Sequence, residues 1–288
     1  MSQPFDVLRA WRILQRVREQ NPLIHCVTNQ VVMNFTANVL YAVGASPLMS
    51  QAPEEADELA KARANLLVNI GTLTRAWLVD VREVVRAEQS LGRGRPRAVL
   101  DPVGAGFTHF RTEAAHELLK TGVFGTLRAN AFEVMKLAGV AARGQGVDSN
   151  ESSLEAAGAA GQLARKYGIV VAVSGVVDYV TDGRREIWLR TGHPLLTRVT
   201  GTGCALNAVI AAATAVDDDP LDAAAAALAI FGTAALKAAR NPEGEPGPGS
   251  FAAGFLDELA RLEHSDLEAF WQVEQTSSSS PDPMESAR

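Results

Sequence analysis

The sequence predicts one α/β domain of three layers, in which a mostly parallel sheet lies between two layers of helices. Short apolar segments alternate with longer amphipathic or alanine-rich segments along the 288 residues, a pattern typical of strands joined by helical crossovers. Residues 169–173 are apolar at every position, as in a parallel strand that is covered on both faces. The domain is expected to span residues 1–270, a length that allows a large buried core.

The first part of the chain predicts alternating helices and strands. Residues 5–19 carry apolar side chains at helical spacing with charges between them, and Pro22 ends this helix. Short apolar runs bounded by turn-forming or polar residues predict strands. These strands are expected at 23–27, 46–50, 66–72 and 98–101. The longer segments between these strands predict helices at 31–43, 54–64, 75–89 and 113–120.

The second part continues the alternation and ends in a tail. Strands are predicted at 125–130 and 169–173, and the segments 178–182 and 185–190 flank Gly183 as a hairpin. Helices are predicted at 131–137, 154–167, 205–216, 221–239 and 251–264, with polar loops at 144–152 and 243–249. Serine and proline dominate from residue 275 onward, so residues 275–288 are expected to be a disordered tail.

Composition excludes several classes of protein. The formal net charge is −6, which argues against binding to nucleic acids or acidic membranes. The chain has no dense basic cluster either, because glycine and proline separate Arg93, Arg95 and Arg97. Cys26 and Cys204 form no CxxC pair, as expected in a reducing compartment without disulfides or a zinc site. No signal-peptide core is evident and no apolar run approaches the ~18 residues of a membrane span. A soluble cytoplasmic protein is expected.

The most informative stretch is residues 198–208, in which two glycines directly precede a predicted helix. The backbone N–H groups of Gly201, Thr202 and Gly203 would point out of the helix N-terminus. Free N–H groups and the partial positive charge of the helix dipole together make an anion site. Cys204 lies in the first turn, where the same dipole is expected to lower the pKa of its thiol.

The predicted strand ends are rich in polar residues and glycine. The stretches concerned are 28–29, 49–50, 69–72, 101–106, 128–130 and 174–175. In open α/β sheets ligands bind beyond the carboxyl ends of the strands, although each stretch alone is equally typical of a turn. The chain has neither a GxxxxGK[ST] loop nor a complete dinucleotide fingerprint. A phosphate-handling site is therefore expected at residues 201–204.

Several motifs, in order along the chain, resemble those of the hydroxyethylthiazole kinase family. They are Asn29, Gly44–Met49, Asn69-Ile70-Gly71-Thr72-Leu73, Asp101-Pro102-Val103-Gly104-Ala105-Gly106, Arg128–Glu133, Ser174-Gly175, Thr200–Cys204 and Gly247–Phe251. The resemblance covers about residues 21–262 and implies the ribokinase-like fold. It also implies ATP-dependent phosphorylation of 4-methyl-5-(2-hydroxyethyl)thiazole in thiamine salvage, with Mg²⁺, by a homotrimer whose substrate sites lie at subunit interfaces.

The resemblance also implies roles for individual residues. The substrate-binding positions match Met49 and Gly201, the ATP-binding positions match Arg128 and Ser174, and the catalytic position matches Cys204. Gly201, Thr202 and Gly203 would form the phosphate-binding turn, and Asp101 and Glu133 would organise Mg²⁺, in part through water. Ala129 and Thr202 depart from the glycine and alanine that are common in the family, and neither change removes a functional group.

Each of these residues also has a purely structural explanation. A helical cysteine and a methionine such as Met49 are usually packing residues, Arg128 fits a surface ion pair, and Glu133 fits a first-turn helix carboxylate. Cys26 is interpreted as a core residue, and His25 as a core or interface histidine, with contact to the substrate as the alternative.

Three alternative functions are compatible with parts of the sequence. A hydroxymethylpyrimidine-type kinase shares the fold and a similar glycine turn but lacks the 69–73 and 101–106 motifs in these forms. A hydrate dehydratase of the same superfamily tends to carry aspartate at the Cys204 position. A nucleotide-binding regulatory protein without turnover would not need Arg128, Glu133 and Cys204 together.

Overall fold

The structure is a computed structural model that describes residues 4–92, 94, 96–141, 150–240, 244 and 246–277. Within these residues nine strands form one sheet of order β2-β1-β3-β4-β5-β6-β7-β8-β9. The strands are β1 (Leu23–Val27), β2 (Ser46–Met49), β3 (Asn65–Asn69), β4 (Ala98–Asp101), β5 (Phe124–Asn130), β6 (Val170–Ser174), β7 (Asp178–Thr181), β8 (Arg185–Leu189) and β9 (Val273–Ser277).

Strands β1 to β6 are parallel, and β7, β8 and β9 are added in antiparallel pairs. The carboxyl ends of the parallel strands therefore lie along one edge of the sheet. All six polar strand ends that the sequence singled out follow these strands. The topology confirms the predicted mostly parallel sheet and brings the predicted ligand-binding segments to one edge.

Helices cover both faces of the sheet. They are α1 (Val7–Gln20), α2 (Met33–Val43), α3 (Ala56–Lys61), α4 (Arg75–Ser90), α5 (His109–Lys120), α6 (Ala131–Leu137), α7 (Asn150–Tyr167), α8 (Thr202–Val216), α9 (Pro220–Ala239), α10 (Pro248–Arg261) and α11 (His264–Ala269). One buried cluster joins α1, α2 and α8 to α11 with one face of the sheet, and another joins α3 to α7 with the other face. Along β3, Leu67 belongs to the first cluster, and Leu66 and Val68 belong to the second, as the period-2 geometry of a strand requires. The three-layer prediction is confirmed.

The structure differs from the predicted element bounds in several places, of which three change the number or the length of elements. Residues 273–277 form β9, which pairs with β8, so the sheet continues past residue 270 and into the predicted tail. Without β9, β8 would be an edge strand with unpaired backbone groups. A polar segment can pair with such groups regardless of its side chains. Helix α7 begins at Asn150, inside the predicted loop, and α10 and α11 replace one predicted helix. Residues 142–149, Arg93, Arg95 and the tail from residue 278 lie outside the described residues.

Helix α9 corrects the expectation that no apolar segment approaches the length of a membrane span. Among the described residues it is the one helix with suitable length and hydropathy, and 83% of its most apolar 18-residue window is buried inside the protein. It packs against α1, α8 and α10. A central helix covered by protein on most sides needs the same apolar composition as a membrane helix.

Candidate active site

The N-terminus of α8 is an uncapped helix end at the edge of the sheet. Gly201, the residue before the helix, has φ of 93° and provides no side chain to cap it. The first backbone hydrogen bond of the helix runs from the Ala205 N–H to the Gly201 carbonyl, at 2.8 Å. Helix geometry leaves the N–H groups of Thr202, Gly203 and Cys204 without partners inside the helix, so this turn suits an anion.

Arg128, near the end of β5, lies against the same turn. A Cβ atom on Gly203 would lie 3.1 Å from Nη1 of Arg128, so the absence of a side chain at Gly203 allows the close approach. Nη2 of Arg128 donates a hydrogen bond to Oγ of Ser174 at the end of β6. Its buried Nε has no partner among the described residues. A guanidinium group and a helix N-terminus thus face one space, and both favour an anion.

Cys204 belongs to a network of amides and one carboxylate. Nδ2 of Asn29 donates to Sγ of Cys204 at 3.5 Å and to Oδ1 of Asn69 at 2.8 Å. Oδ2 of Asp101 accepts hydrogen bonds from Nδ2 of Asn69 and, at 2.8 Å, from Nδ2 of Asn207. Because Oδ2 of Asp101 accepts both amide N–H groups, Asp101 fixes the orientation of Asn69, which in turn orients Asn29 toward the sulfur.

The surroundings of Cys204 overturn the predicted direction of its pKa. Burial raises the pKa of the Cys204 thiol to about 11, and the negative charge of Asp101 contributes in the same direction. Burial also raises the pKa of Asp101 to about 8, although the charge of Arg128 opposes the shift. Desolvation is the largest cause, and it acts against the lowering that the helix dipole alone suggested from the sequence. Cys204 is therefore a neutral thiol near pH 7.

Glu133 holds the loop after β4. Its Oε1 accepts the Gly104 N–H at 2.7 Å, and its Oε2 accepts the Asn130 N–H at 3.0 Å, completing a capping box at the start of α6. Burial raises the pKa of Glu133, while these two N–H groups oppose the shift. The charge of Glu133 is close enough to Asp101 to raise its pKa as well.

The pair of buried carboxylates fits a hydrated Mg²⁺ better than a directly coordinated one. Both oxygens of Glu133 already accept backbone N–H groups, whereas Mg²⁺ keeps several of its waters in most protein sites. No group of three or more His, Cys, Asp or Glu side chains in the described part of the chain is arranged to hold a metal. Asp101 and Glu133 would therefore contact the water shell of the ion.

Gly201→Ala is expected to lower the free energy of unfolding by about 2 to 4 kcal/mol. The residue has a positive φ, and an added Cβ would lie 2.9 Å from Cγ1 of Val32, a stiff β-branched side chain. Urea denaturation measures the effect. Gly158→Ala is the matched control, since Gly158 is exposed in α7 and a Cβ there meets nothing; it should be neutral or stabilising. Equal stability of the two variants would contradict the strain at Gly201.

Residues 14–265 match the sequence model of the hydroxyethylthiazole kinase family. The chain belongs to the hydroxyethylthiazole kinase family. It is 45% identical over 259 residues to a hydroxyethylthiazole kinase of Oleidesulfovibrio alaskensis, and the match covers 90% of this chain and 95% of that protein. A hydroxyethylthiazole kinase of Tolumonas auensis is 48% identical over 252 residues, covering 87% of this chain and 92% of that protein.

Solved structures agree with the family and the fold. The structure of a hydroxyethylthiazole kinase protein from Pyrococcus horikoshii OT3 superposes with a TM-score of 0.83 and 40% identity, over 93% of this chain and 99% of that one. The pyridoxal kinase of Bacillus subtilis, determined as an ADP complex, has a TM-score of 0.56 and 13% identity, over 75% of this chain and 92% of that one. The second likeness shows the shared ribokinase-like fold alone.

In this member of the hydroxyethylthiazole kinase family the predicted site residues follow the order of the strands. Met49 ends the outer strand β2, where it is half-buried and pairs with Cys26. Arg128 and Ser174 lie toward the other side, on β5 and β6. Helix α8 packs over β1, β3 and β4, so the turn that carries Cys204 lies between Met49 and the Arg128–Ser174 pair.

Thr202 contributes to the turn through its backbone. Its hydroxyl donates to the carbonyl of Leu196 at 2.7 Å and approaches that of Val199 at 3.2 Å, so the side chain ties α8 to the 3₁₀ turn Pro194–Arg198. The departure from the alanine common in the hydroxyethylthiazole kinase family therefore leaves the N–H of residue 202 free for an anion.

Sequence reasoning missed three residues that shape the site. Asn207 is a single polar residue on an apolar helix, four positions after Gly203, and the sequence does not indicate that it contacts Asp101. Asp178 begins the predicted hairpin, and the sequence indicates no further role for it. Arg111 donates to the carbonyls of Ile70, Val103 and Gly71 at 2.7 to 2.8 Å and so joins the loops after β3 and β4. A single arginine in the first turn of α5 carries no sequence signal for that role.

Proposed function

We propose that the chain transfers the γ-phosphoryl group of ATP to the hydroxyl of 4-methyl-5-(2-hydroxyethyl)thiazole at the N-terminus of α8. The observation that carries the proposal is the meeting of an uncapped helix end, the guanidinium of Arg128 and the thiol of Cys204 at one edge of the sheet. Family membership supplies the substrate class. Phosphoryl transfer passes through a loose transition state and depends mostly on positioning and charge neutralisation, for which this arrangement is suited.

The residues divide into an alcohol side and a nucleotide side. Met49 and Gly201 bind the thiazole alcohol, and Arg128 and Ser174 bind ATP. The N–H groups of the 201–203 turn hold the transferring phosphoryl group. Charge-assisted hydrogen bonds from a guanidinium and aligned N–H groups stabilise the equatorial oxygens most strongly where water is excluded.

Cys204 holds the attacking hydroxyl in line. With a pKa of about 11 its thiol is protonated near pH 7, so it is a weak proton acceptor. A loose transition state demands little base, so the hydroxyl proton leaves only once the P–O bond has largely formed, and it passes to an oxygen of the transferred phosphoryl group and from there to water. The Asn29 amide donates to the sulfur at 3.5 Å and thereby restrains the direction in which Cys204 faces the alcohol.

Mg²⁺, when bound, would neutralise part of the negative charge of the nucleotide phosphates. Asp101 and Glu133 are the residues that would hold its water shell. Buried carboxylates whose pKa values are raised by desolvation gain from a nearby cation.

Assembly as a cytoplasmic homotrimer with substrate sites between subunits also belongs to this proposal. Val31 and Tyr41, on or beside α2, are 70% and 67% exposed, which is unusual for large apolar side chains in one region. Val32, between Val31 and the first turn of α2, contacts the position of Gly201. A neighbouring subunit on α2 would therefore cover the alcohol side of the site.

The proposal is tested by incubating the chain with MgATP and each candidate alcohol. We expect one ADP per molecule of thiazole phosphate, detected by mass spectrometry, and no transfer when Mg²⁺ is omitted. Preference for hydroxymethylpyrimidine would identify the pyrimidine-type kinase instead. Nucleotide hydrolysis coupled to dehydration of a hydrate would indicate the lyase, and ATP binding without any product would indicate a regulatory protein.

A further inference from the structure

A buried aspartate lies under the turn that joins β6 to β7. In this turn Val176 is 63% exposed, whereas Asp178 is only 7% exposed. Oδ1 of Asp178 accepts the N–H of Gly175 at 2.9 Å and so closes the turn back onto the end of β6. Ser174, the residue before Gly175, accepts the hydrogen bond from Arg128.

Closing the turn does not explain why a carboxylate is used. A neutral amide oxygen would accept the same hydrogen bond without the cost of burying a charge. Burial raises the pKa of Asp178 to about 7, while the Gly175 N–H and the charge of Arg128 act in the opposite direction. The geometry supplies the link to this cation, because the turn that Asp178 closes begins at Ser174, which accepts the hydrogen bond from Arg128.

The charge of Arg128 acts on three buried carboxyl groups. It lowers the pKa values of Asp101, at the end of β4, and of Glu133, in the first turn of α6, as well as that of Asp178. Of the three, Asp178 is the one that closes the turn next to Ser174, and Ser174 accepts the hydrogen bond from Arg128. Asp178 is therefore linked to the guanidinium both through this turn and through its charge.

We infer that Asp178 is a positioning residue for ATP, which holds the Arg128 guanidinium and the 174–175 turn in the arrangement that receives the nucleotide phosphates. The inference rests on the proposed function, in which Arg128 and Ser174 bind ATP. Asp178 acts through Arg128 and the turn, and it contacts neither substrate nor reacting atoms.

Asp178→Asn tests the charge while keeping an oxygen for the Gly175 N–H. We expect KM for ATP to rise about tenfold, the equivalent of one charge-assisted contact, with KM for the thiazole alcohol changed less than about twofold. The folded-state pKa lies above that of an unfolded aspartate, so the stability that the protonated group contributes is lost as the pH rises from about 4 to about 7, and the loss levels off above pH 7. The melting temperature of Asp178→Asn at pH 8 should therefore not fall.

Asp222→Asn is the control, because Asp222 is also buried but pairs with Arg9 beyond the C-terminal end of α8. It should leave KM for ATP unchanged. An unchanged KM for ATP in Asp178→Asn, or a lowered melting temperature that accounts for all kinetic loss, would reduce Asp178 to a structural residue. If the wild-type chain transfers no phosphate to the thiazole alcohol, the proposed function fails instead.

A double-mutant cycle separates action through Arg128 from an independent effect. ATP binding is measured by calorimetry for the wild type, Asp178→Asn, Arg128→Ala and the double variant, with no alcohol present. We expect Asp178→Asn to weaken ATP binding in the wild type and to have little further effect once Arg128 is absent. Additive effects would contradict the positioning role.

Discussion

Arg128→Ala is expected to lower kcat/KM for ATP about a thousandfold, the lower end of the effect of an arginine on phosphoryl transfer. Arg128 lies against the N-terminal turn of α8, and its charge opposes the raised pKa values of Asp101, Glu133 and Asp178. Without it, only the helix N-terminus would favour the phosphates, and the charges of the three acidic groups would no longer be offset by the guanidinium. Steady-state kinetics at varied ATP measure the loss.

Two further variants show whether the effect belongs to the phosphate site. Arg128→Lys keeps the charge but loses the planar fork, so it should recover only part of the activity. Arg82→Ala removes an exposed arginine that pairs with Glu117 on the surface, and it should change kcat/KM less than about twofold. A loss below tenfold in Arg128→Ala, with the melting temperature preserved, would place the nucleotide phosphates elsewhere.

Cys204→Ala is expected to lower kcat about a hundredfold, as for removal of a weak acid–base or positioning group, and to change KM for ATP little. The Cys204 sulfur is held by the Asn29 amide at 3.5 Å, so the loss falls on the position of the alcohol. Cys204→Asp should keep substantial turnover, because a carboxylate also accepts a hydrogen bond from the hydroxyl and is a stronger proton acceptor than a neutral thiol. Single-turnover kinetics with saturating ATP separate this effect from product release.

Cys26→Ala is the matched control, since Cys26 is a fully buried thiol on β1 that hydrogen-bonds only to the nearby carbonyl of Ile24 among the described residues. It should cost stability and leave kcat unchanged. If Cys204→Ala retains the wild-type kcat, the cysteine is a packing residue and the helix N-terminus with Arg128 carries the reaction alone.

The mostly parallel sheet was predictable because its information is local. Each of the apolar runs that form β1 to β6 is bounded by residues that end strands. Helical crossovers join such strands in parallel, so their polar carboxyl ends lie at the same edge of the sheet. The glycine turn at 201–203 was predictable for the same reason, since glycine permits both the positive φ of Gly201 and the approach of Arg128 to Gly203.

Strand β9 and the orientation of the amides were not predictable in this way. Residues 273–277 pair with β8 through backbone groups. Backbone pairing requires no particular side chains, so the amino-acid composition of this segment does not predict a strand. Asn69 and Asn207 both point at Asp101, but they are separated from it by 32 and 106 positions. No local pattern encodes such pairings.

The sequence by itself determined the parallel sheet, the glycine turn before α8 and the residue types that surround it. The tertiary structure decided the chemistry of those residues. Near the start of α8 the local helix dipole alone predicted a lowered pKa for Cys204, yet burial and Asp101 raise it to about 11. The two oxygens of Glu133 are likewise committed to Gly104 and Asn130. Desolvation and long-range charge depend on what packs around a group, so they arise only when distant segments of the chain meet.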